Sequence, residues 1–156
     1  MLSEQAKQEI QAALKKYHNK RSAVMDALRI AQQENGGHVV KRDMEEIAAI
    51  LEMQPVEVNA AAAFYTMYNI DKPVGKYHIQ VCRNISCSLM GAEHILKHLE
   101  RTLGIRTGET TPDHKVTLST VECLGSCGTA PMMQVNDDYY ENLTEAKIDE
   151  LLKKFD

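Results

Sequence analysis

The chain has 156 residues, a formal net charge of −4 and 44% hydrophobic residues. A chain of this length buries roughly two thirds of the surface that its unfolded form exposes, so a stable core needs no disulfides. The acidic charge and dispersed lysines lack the basic footprint of nucleic-acid binding, and the longest apolar run, residues 60–65, is far too short to span a membrane. We therefore expect protein or small-molecule partners, no nucleic acid, no direct membrane insertion and a cytoplasmic location.

The first half of the chain is predicted to be helical throughout. A first helix is indicated by apolar residues at steps of three and four, which place one apolar face inward. These residues are Leu2, Ala6, Ile10, Ala13, Leu14 and Tyr17. A second helix is expected to start with Ser22 as N-cap and to stop at residues 35–37, where Asn-Gly-Gly tolerates left-handed backbone. A third should cover residues 43–53, and a fourth should start at Pro55 and run towards Tyr68. Residues 1–72 are therefore predicted to form an N-terminal helical bundle.

An aromatic and methionine cluster lies at the end of the predicted fourth helix. It comprises Phe64, Tyr65, Met67 and Tyr68. Because such residues prefer burial, we expect core packing here rather than a partner interface.

Near residues 71–75 the pattern changes from helical periodicity to alternation. Residues 77–82 alternate apolar and polar side chains, which predicts a strand, and residues 115–122 predict a second one. Between them, an apolar stripe from Ala92 to Leu103 predicts a helix that ends at Gly104. A hairpin is expected around residues 136–138, followed by a helix with Thr144 as N-cap. Residues 73–156 should therefore form an α/β unit around a small mixed sheet, and the whole chain is predicted to be α+β or α/β.

All four cysteines fall in two closely spaced pairs. Cys82 and Cys87 are five residues apart, and Cys123 and Cys127 are four apart in a glycine-containing loop. Each pair follows a predicted strand end, so the two loops should meet on one side of the sheet. In a reducing compartment paired cysteines indicate metal or redox chemistry rather than disulfides. We therefore predict one metal site with all four cysteines as ligands.

Several types of site compete for these cysteines. A structural zinc site has the right ligand count, although its usual pairs are closer and separated by a shorter segment. A thioredoxin-like site for dithiol exchange requires a Cys-x-x-Cys motif, which the sequence lacks. A Rieske centre needs two histidine ligands, and the histidines show no such spacing. The residue pattern alone favours an iron–sulfur centre and leaves zinc open.

Six segments of the chain resemble the E-type subunits of bacterial respiratory complex I, the NADH-quinone oxidoreductase. They are residues 31–37, 63–69, 75–87, 108–113, 121–131 and 135–140. Members of this family are thioredoxin-like [2Fe–2S] proteins of the NADH-oxidising module. The resemblance implies a helical bundle at residues 1–72 followed by a thioredoxin-like [2Fe–2S] ferredoxin domain at residues 73–156.

The resemblance also implies a cofactor, partners and a role. One [2Fe–2S] cluster would be bound by Cys82, Cys87, Cys123 and Cys127. The resemblance implies that FMN and NADH are bound by a large partner subunit. In agreement with this, the chain itself has no nucleotide-binding glycine motif and no catalytic constellation. The chain would be an electron carrier in NADH:quinone oxidoreductase, beside other iron–sulfur subunits, in a peripheral arm at the cytoplasmic face of the inner membrane.

Two alternative functions stay open at this point. The same type of chain occurs as the diaphorase small subunit of soluble NAD-linked hydrogenases or formate dehydrogenases. The other alternative is a zinc-stabilised structural adaptor without a redox role.

Overall fold

The computed structural model describes residues 1–155. The chain forms two units, Met1–Pro73 and Val74–Asp156. Each unit has its own cluster of buried apolar side chains. In the described residues no helix is long and apolar enough to cross a membrane.

Four helices form the first unit. They are α1 (Glu4–Leu14), α2 (Val24–Glu34), α3 (Lys41–Leu51) and α4 (Pro55–Phe64). The predicted apolar stripe of α1 is buried through Ala6, Ile10 and Ala13. Leu28 of α2 and Ile47 of α3 are fully buried in the same core. The helical character of this half is thus confirmed, and burial of these stripes is what stabilises it.

Several helix ends differ from the prediction. The third helix covers Lys41–Leu51 rather than residues 43–53, and α4 ends at Phe64 instead of running towards Tyr68. The first helix stops at Leu14, so Tyr17 lies beyond it, 38% exposed, and donates its hydroxyl hydrogen to Asp26 at 3.1 Å. Ser22 is not an N-cap, because it lies inside a 3₁₀ turn, Lys20–Ala23, that precedes α2. That turn is capped by Asn19, whose side-chain oxygen accepts from the Arg21 N–H at 2.9 Å. The predictions for Tyr17 and Ser22 were therefore wrong. Helical periodicity does not show contacts with polar partners such as Asp26 and Asn19, which lie at these helix ends.

The segment after α4 exposes most of the aromatic and methionine cluster. Tyr65 adopts extended backbone and ends the helix, so that Phe64 is 78% exposed and Met67 is also exposed. Only Tyr68 of this cluster is buried, with its hydroxyl donating to the Met25 carbonyl at 2.8 Å. The expected core packing is therefore wrong for Phe64, Tyr65 and Met67.

Up to residue 155, the second unit contains four strands and three α-helices. They are β1 (Tyr77–Cys82), α5 (Ile85–Leu89), α6 (Ala92–Leu103), β2 (Val116–Val121), β3 (Met133–Val135), β4 (Asp138–Tyr140) and α7 (Glu145–Leu152). The sheet order is β2-β1-β3-β4. β1 and β2 are parallel, whereas β3 is antiparallel to both β1 and β4. The predicted mixed sheet is confirmed. The short helix α5 was not predicted, and Gly91, with a φ of +94°, separates it from α6.

Helices α6 and α7 pack their apolar stripes into the core of this unit. Leu99 of α6 and Ile148 of α7 are fully buried. His98 of α6 lies between two carboxylates of α7, with 3.1 Å from Nδ1 to Glu145 and 2.8 Å from Nε2 to Asp149. These polar contacts join α6 to α7 in addition to the apolar packing of the two helices.

The outer edge of β2 is covered by residues 108–111. The Gly108 N–H donates to the Leu118 carbonyl at 2.7 Å, and the Thr111 N–H donates to the Val116 carbonyl at 2.8 Å. The hydroxyls of Thr110 and Thr117 are 2.8 Å apart. The backbone groups of Val116 and Leu118 on the outer side of this edge strand are therefore paired within the chain.

Gly75 lies where the chain enters the second unit, directly against the start of β2. A Cβ there would lie 2.7 Å from the backbone carbonyl carbon of Lys115 and 2.8 Å from the Val116 nitrogen. We expect Gly75→Ala to lower the free energy of unfolding by about 2 kcal/mol or more, because backbone atoms must shift. Gly128→Ala is the matched control, since its Cβ would meet nothing within 4 Å. Urea titration of the two variants checks this, and equal midpoints would contradict it.

His78 gives the second unit a dependence on pH. Burial lowers its pKa below the ordinary value of 6.5, and its Nε2 lies 2.8 Å from the Ser119 hydroxyl. The unfolded chain therefore binds this proton more tightly, so the stabilisation is present above the unfolded pKa and is lost as pH falls through and below it. We expect His78→Gln to lose less stability than the unchanged chain between about pH 7.5 and about pH 5. Urea midpoints at both pH values test this, and identical slopes with pH would count against it.

Candidate metal centre

The parallel pairing of β1 with β2 brings the two cysteine segments to one edge of the sheet. Cys82, the last residue of β1, is in register with Val121, the last residue of β2. Cys123 follows two residues later. The Cys82 thiol lies 3.8 Å from the Glu122 carbonyl oxygen, beside the start of the second segment. The expected convergence of the two loops therefore occurs at this edge.

The far end of the second segment returns to the same place. We call residues 123–131 the second cysteine loop. Immediately after it, the Met132 carbonyl accepts a hydrogen bond from the Cys82 N–H at 3.2 Å. Cys127 begins a 3₁₀ turn, Cys127–Thr129, inside this loop. Both ends of the loop are thus tied to the end of β1.

Cys87 lies on α5 and faces the interior, with 2% of its surface exposed. Burial raises the pKa of its thiol, and a hydrogen bond with Cys82 raises it further. The charge of Cys127 acts in the same direction, whereas a hydrogen bond with the Met132 backbone lowers the pKa. Cys82 and Cys127 therefore both act on the Cys87 thiol.

The four thiols fall into a buried pair and an exposed pair. Cys82 is 3% exposed, like Cys87, whereas Cys123 and Cys127 are exposed. The Cys123 sulfur accepts a hydrogen bond from the Gly125 N–H at 3.4 Å. Gly125 has a φ of +80°, a conformation that other residues rarely adopt, and this turn is what directs its N–H at the sulfur.

The donor set fits a cluster that takes two thiolates on each iron. Within residues 1–155 no group of three or more His, Cys, Asp or Glu side chains is arranged to hold a single metal ion. A [2Fe–2S] cluster has a different requirement, since its four cysteines bind in pairs to two irons. Cys82 with Cys87 provides one close pair of sulfurs, and N–H donation to sulfur, as from Gly125, offsets thiolate charge. The assignment of all four cysteines as ligands stays a prediction.

Two residues that sequence reasoning missed support the second cysteine loop. The Tyr139 hydroxyl donates to the Leu124 carbonyl at 2.8 Å. Glu141 accepts hydrogen bonds from the hydroxyls of Ser126 and, at 2.7 Å, Thr129. The only sequence signal was a pair of hydroxyl residues flanking Cys127, and their partner lies twelve to fifteen residues further along the chain.

The sequence of this chain is similar to a known protein family and to several named proteins. Residues 10–156 match the family model "thioredoxin-like [2Fe–2S] ferredoxin". The chain is 53% identical to an E-type subunit of NADH-quinone oxidoreductase from Rhizobium meliloti, covering 96% of this chain and 88% of the relative. It is 49% identical to the corresponding NADH-quinone oxidoreductase chain of Rickettsia felis, covering 91% and 86%.

A solved structure also matches the fold. It is an NAD⁺-reducing [NiFe]-hydrogenase in the H₂-reduced state, with a TM-score of 0.72 and 23% identity over 85% of this chain. The chain spans only 22% of that hydrogenase chain. At this identity the likeness shows a shared fold.

The two classes of thiol predict an order of chemical modification. In cluster-free, reduced protein we expect iodoacetamide to alkylate Cys123 and Cys127 roughly tenfold or more faster than Cys82 and Cys87. Exposure favours the first pair, and the raised pKa of Cys87 leaves less of the reactive thiolate. Timed quenching followed by peptide mass spectrometry measures the four rates, with urea-unfolded protein as the control in which they should converge. Equal rates in the folded protein would contradict the burial of Cys82 and Cys87.

Proposed function

The chain belongs to the thioredoxin-like [2Fe–2S] ferredoxin family, and from that premise we propose that it is the electron-transfer subunit of an NADH:quinone oxidoreductase. It carries one [2Fe–2S] cluster and exchanges single electrons with the flavin of a partner subunit. The observation that carries this proposal is the meeting of both cysteine segments at the paired ends of β1 and β2.

The four cysteines would bind the cluster from two segments of the chain. Cys82 and Cys87 would hold one side from the end of β1 and from α5, and Cys123 and Cys127 would hold the other from the second cysteine loop. When bound, such a cluster accepts and releases one electron at a time. The Gly125 N–H would stabilise the more negative, reduced state by donating to the Cys123 sulfur. The buried sulfurs of Cys82 and Cys87 keep water from that side of the site.

We further propose the partners and the location. The partner that holds FMN and NADH is the large subunit of the same complex, and further iron–sulfur subunits take the electrons onwards. The chain would lie in a peripheral arm at the cytoplasmic face of the inner membrane. Support comes from the relatives named as NADH-quinone oxidoreductase subunits and from the lack of a membrane-spanning helix in the described residues.

The respiratory role is favoured over that of a hydrogenase or formate dehydrogenase subunit. The relatives that share about half of their residues with this chain are named as NADH-quinone oxidoreductase subunits, whereas the hydrogenase shares less than a quarter. Isolation of the complex from its native cells decides between the two settings, because the large subunits that accompany the chain differ between them.

The cluster itself is tested by anaerobic purification and metal analysis. We expect equal amounts of iron and sulfide, one cluster per chain, and an EPR signal after reduction by dithionite. Serine in place of each cysteine in turn should lower the iron content or change the spectrum, because an alkoxide replaces a thiolate. Ser88→Ala, on the same helix as Cys87, is the control and should keep the cluster.

Stoichiometric zinc without an EPR signal would overturn this proposal and leave the zinc-stabilised adaptor. A cysteine variant that keeps both the iron and an unchanged spectrum would remove that residue from the ligand set.

A further inference from the structure

One carboxylate oxygen is hydrogen-bonded to both ends of the turn that contains Cys127. Oε1 of Glu141 accepts from the Ser126 hydroxyl and, at 2.7 Å, from the Thr129 hydroxyl. The two hydroxyl oxygens are themselves 2.8 Å apart. Ser126 and Thr129 flank Cys127 and Gly128 in sequence, so one side chain joins the two ends of the turn.

Glu141 is itself held in place by its neighbours. The N–H of Asn142 donates to the Thr129 carbonyl at 2.7 Å, and the N–H of Leu143 donates to the Pro131 carbonyl at 2.9 Å. Leu143 is buried in the core of the second unit. The carboxylate therefore projects from backbone that is fixed at both the loop and the core.

The interaction also places a negative charge beside the turn. The hydrogen bonds from Ser126 and then from Thr129 lower the pKa of Glu141. The side chain is therefore ionised at neutral pH. Hydrogen bonds to an ionised acceptor are roughly twice as strong as those between neutral groups.

We propose that Glu141 is a positioning residue for the iron–sulfur site: it fixes the turn that presents the Cys127 sulfur, and its charge lowers the reduction potential there. This inference rests on the proposed function, since it concerns the same four-cysteine site. Reduction adds negative charge to the cluster, so a fixed carboxylate nearby opposes it. A residue that served only to stabilise the fold would change the stability of the chain and leave the redox properties alone.

The experiment compares three variants, which separate the charge of Glu141 from its hydrogen bonds, with one control. Glu141→Gln removes the charge and keeps an oxygen that can accept from both hydroxyls, whereas Glu141→Ala removes the charge and the acceptor. Ser126→Ala keeps the charge and deletes one of the two hydrogen bonds. Asp137→Asn, at the exposed tip of the β3–β4 hairpin, changes the net charge equally and is the matched control.

The first measurement uses cluster-free protein. Hydrogen exchange of the Thr129 and Asn142 amides, which donate to the Ser126 and Thr129 carbonyls, should speed up roughly tenfold in Glu141→Ala. It should speed up less in Ser126→Ala and stay unchanged in Asp137→Asn.

The second measurement uses cluster-loaded protein and records the midpoint potential and the EPR spectrum of the reduced state. We expect Glu141→Gln and Glu141→Ala to shift the potential in the positive direction beyond any shift in Asp137→Asn. Ser126→Ala should alter the EPR spectrum without loss of charge, because it loosens the same turn.

The outcomes separate this inference from the function on which it rests. If unchanged protein takes up no iron and sulfide, the proposed function fails. If it loads the cluster, but the Glu141 variants keep its potential and spectrum, Glu141 is a structural residue and the positioning role is overturned. Glu141→Gln keeps the test decisive should Glu141→Ala not fold.

Discussion

The parallel pairing of β1 with β2 is the constraint on which the cysteine site depends. In its register Cys82 lies opposite Val121. Both strands therefore end at the same edge of the sheet, and the loops that follow them begin there. Side chains alternate between the two faces of a strand, and a shift of one residue would turn Cys82 away from the core. The pairing of β1 with β3 on its other side adds Met132 to this edge. The site therefore inherits its geometry from backbone pairing on both sides of one strand.

The two halves of the site are built in different ways. Cys82 and Cys87 belong to regular elements and are packed in the apolar core, so their positions follow from core packing. Cys123 and Cys127 lie on an exposed loop, where position must come from hydrogen bonds instead. Tyr139 and Glu141, together with the backbone of residues 142–143, provide these bonds. Core packing therefore positions the buried pair of sulfurs, whereas hydrogen bonds position the loop that carries the exposed pair.

Local patterns predicted the elements of this chain better than their ends. The stripes of α1, α6 and α7 are in the core as expected, because helical periodicity is a property of neighbouring residues. Tyr17 and Phe64 were wrongly placed inside, since each lies at or just past a helix end that tertiary contacts determine. The support from Glu141 could not be predicted, because the hairpin was expected but its position beside Ser126 is set only by the folded sheet. Cysteine spacing indicated the chemistry, while strand register decided the geometry.

The covering of β2 by residues 108–111 bears on how this chain meets other proteins. An uncovered edge strand offers its backbone to any strand nearby and so promotes aggregation and indiscriminate pairing. Here the backbone groups of Val116 and Leu118 on that side are already used within the chain. Recognition at this end of the sheet must therefore rely on side chains, whose shapes discriminate between partners. Pairing within the chain thereby hinders the addition of a strand from another protein at this edge.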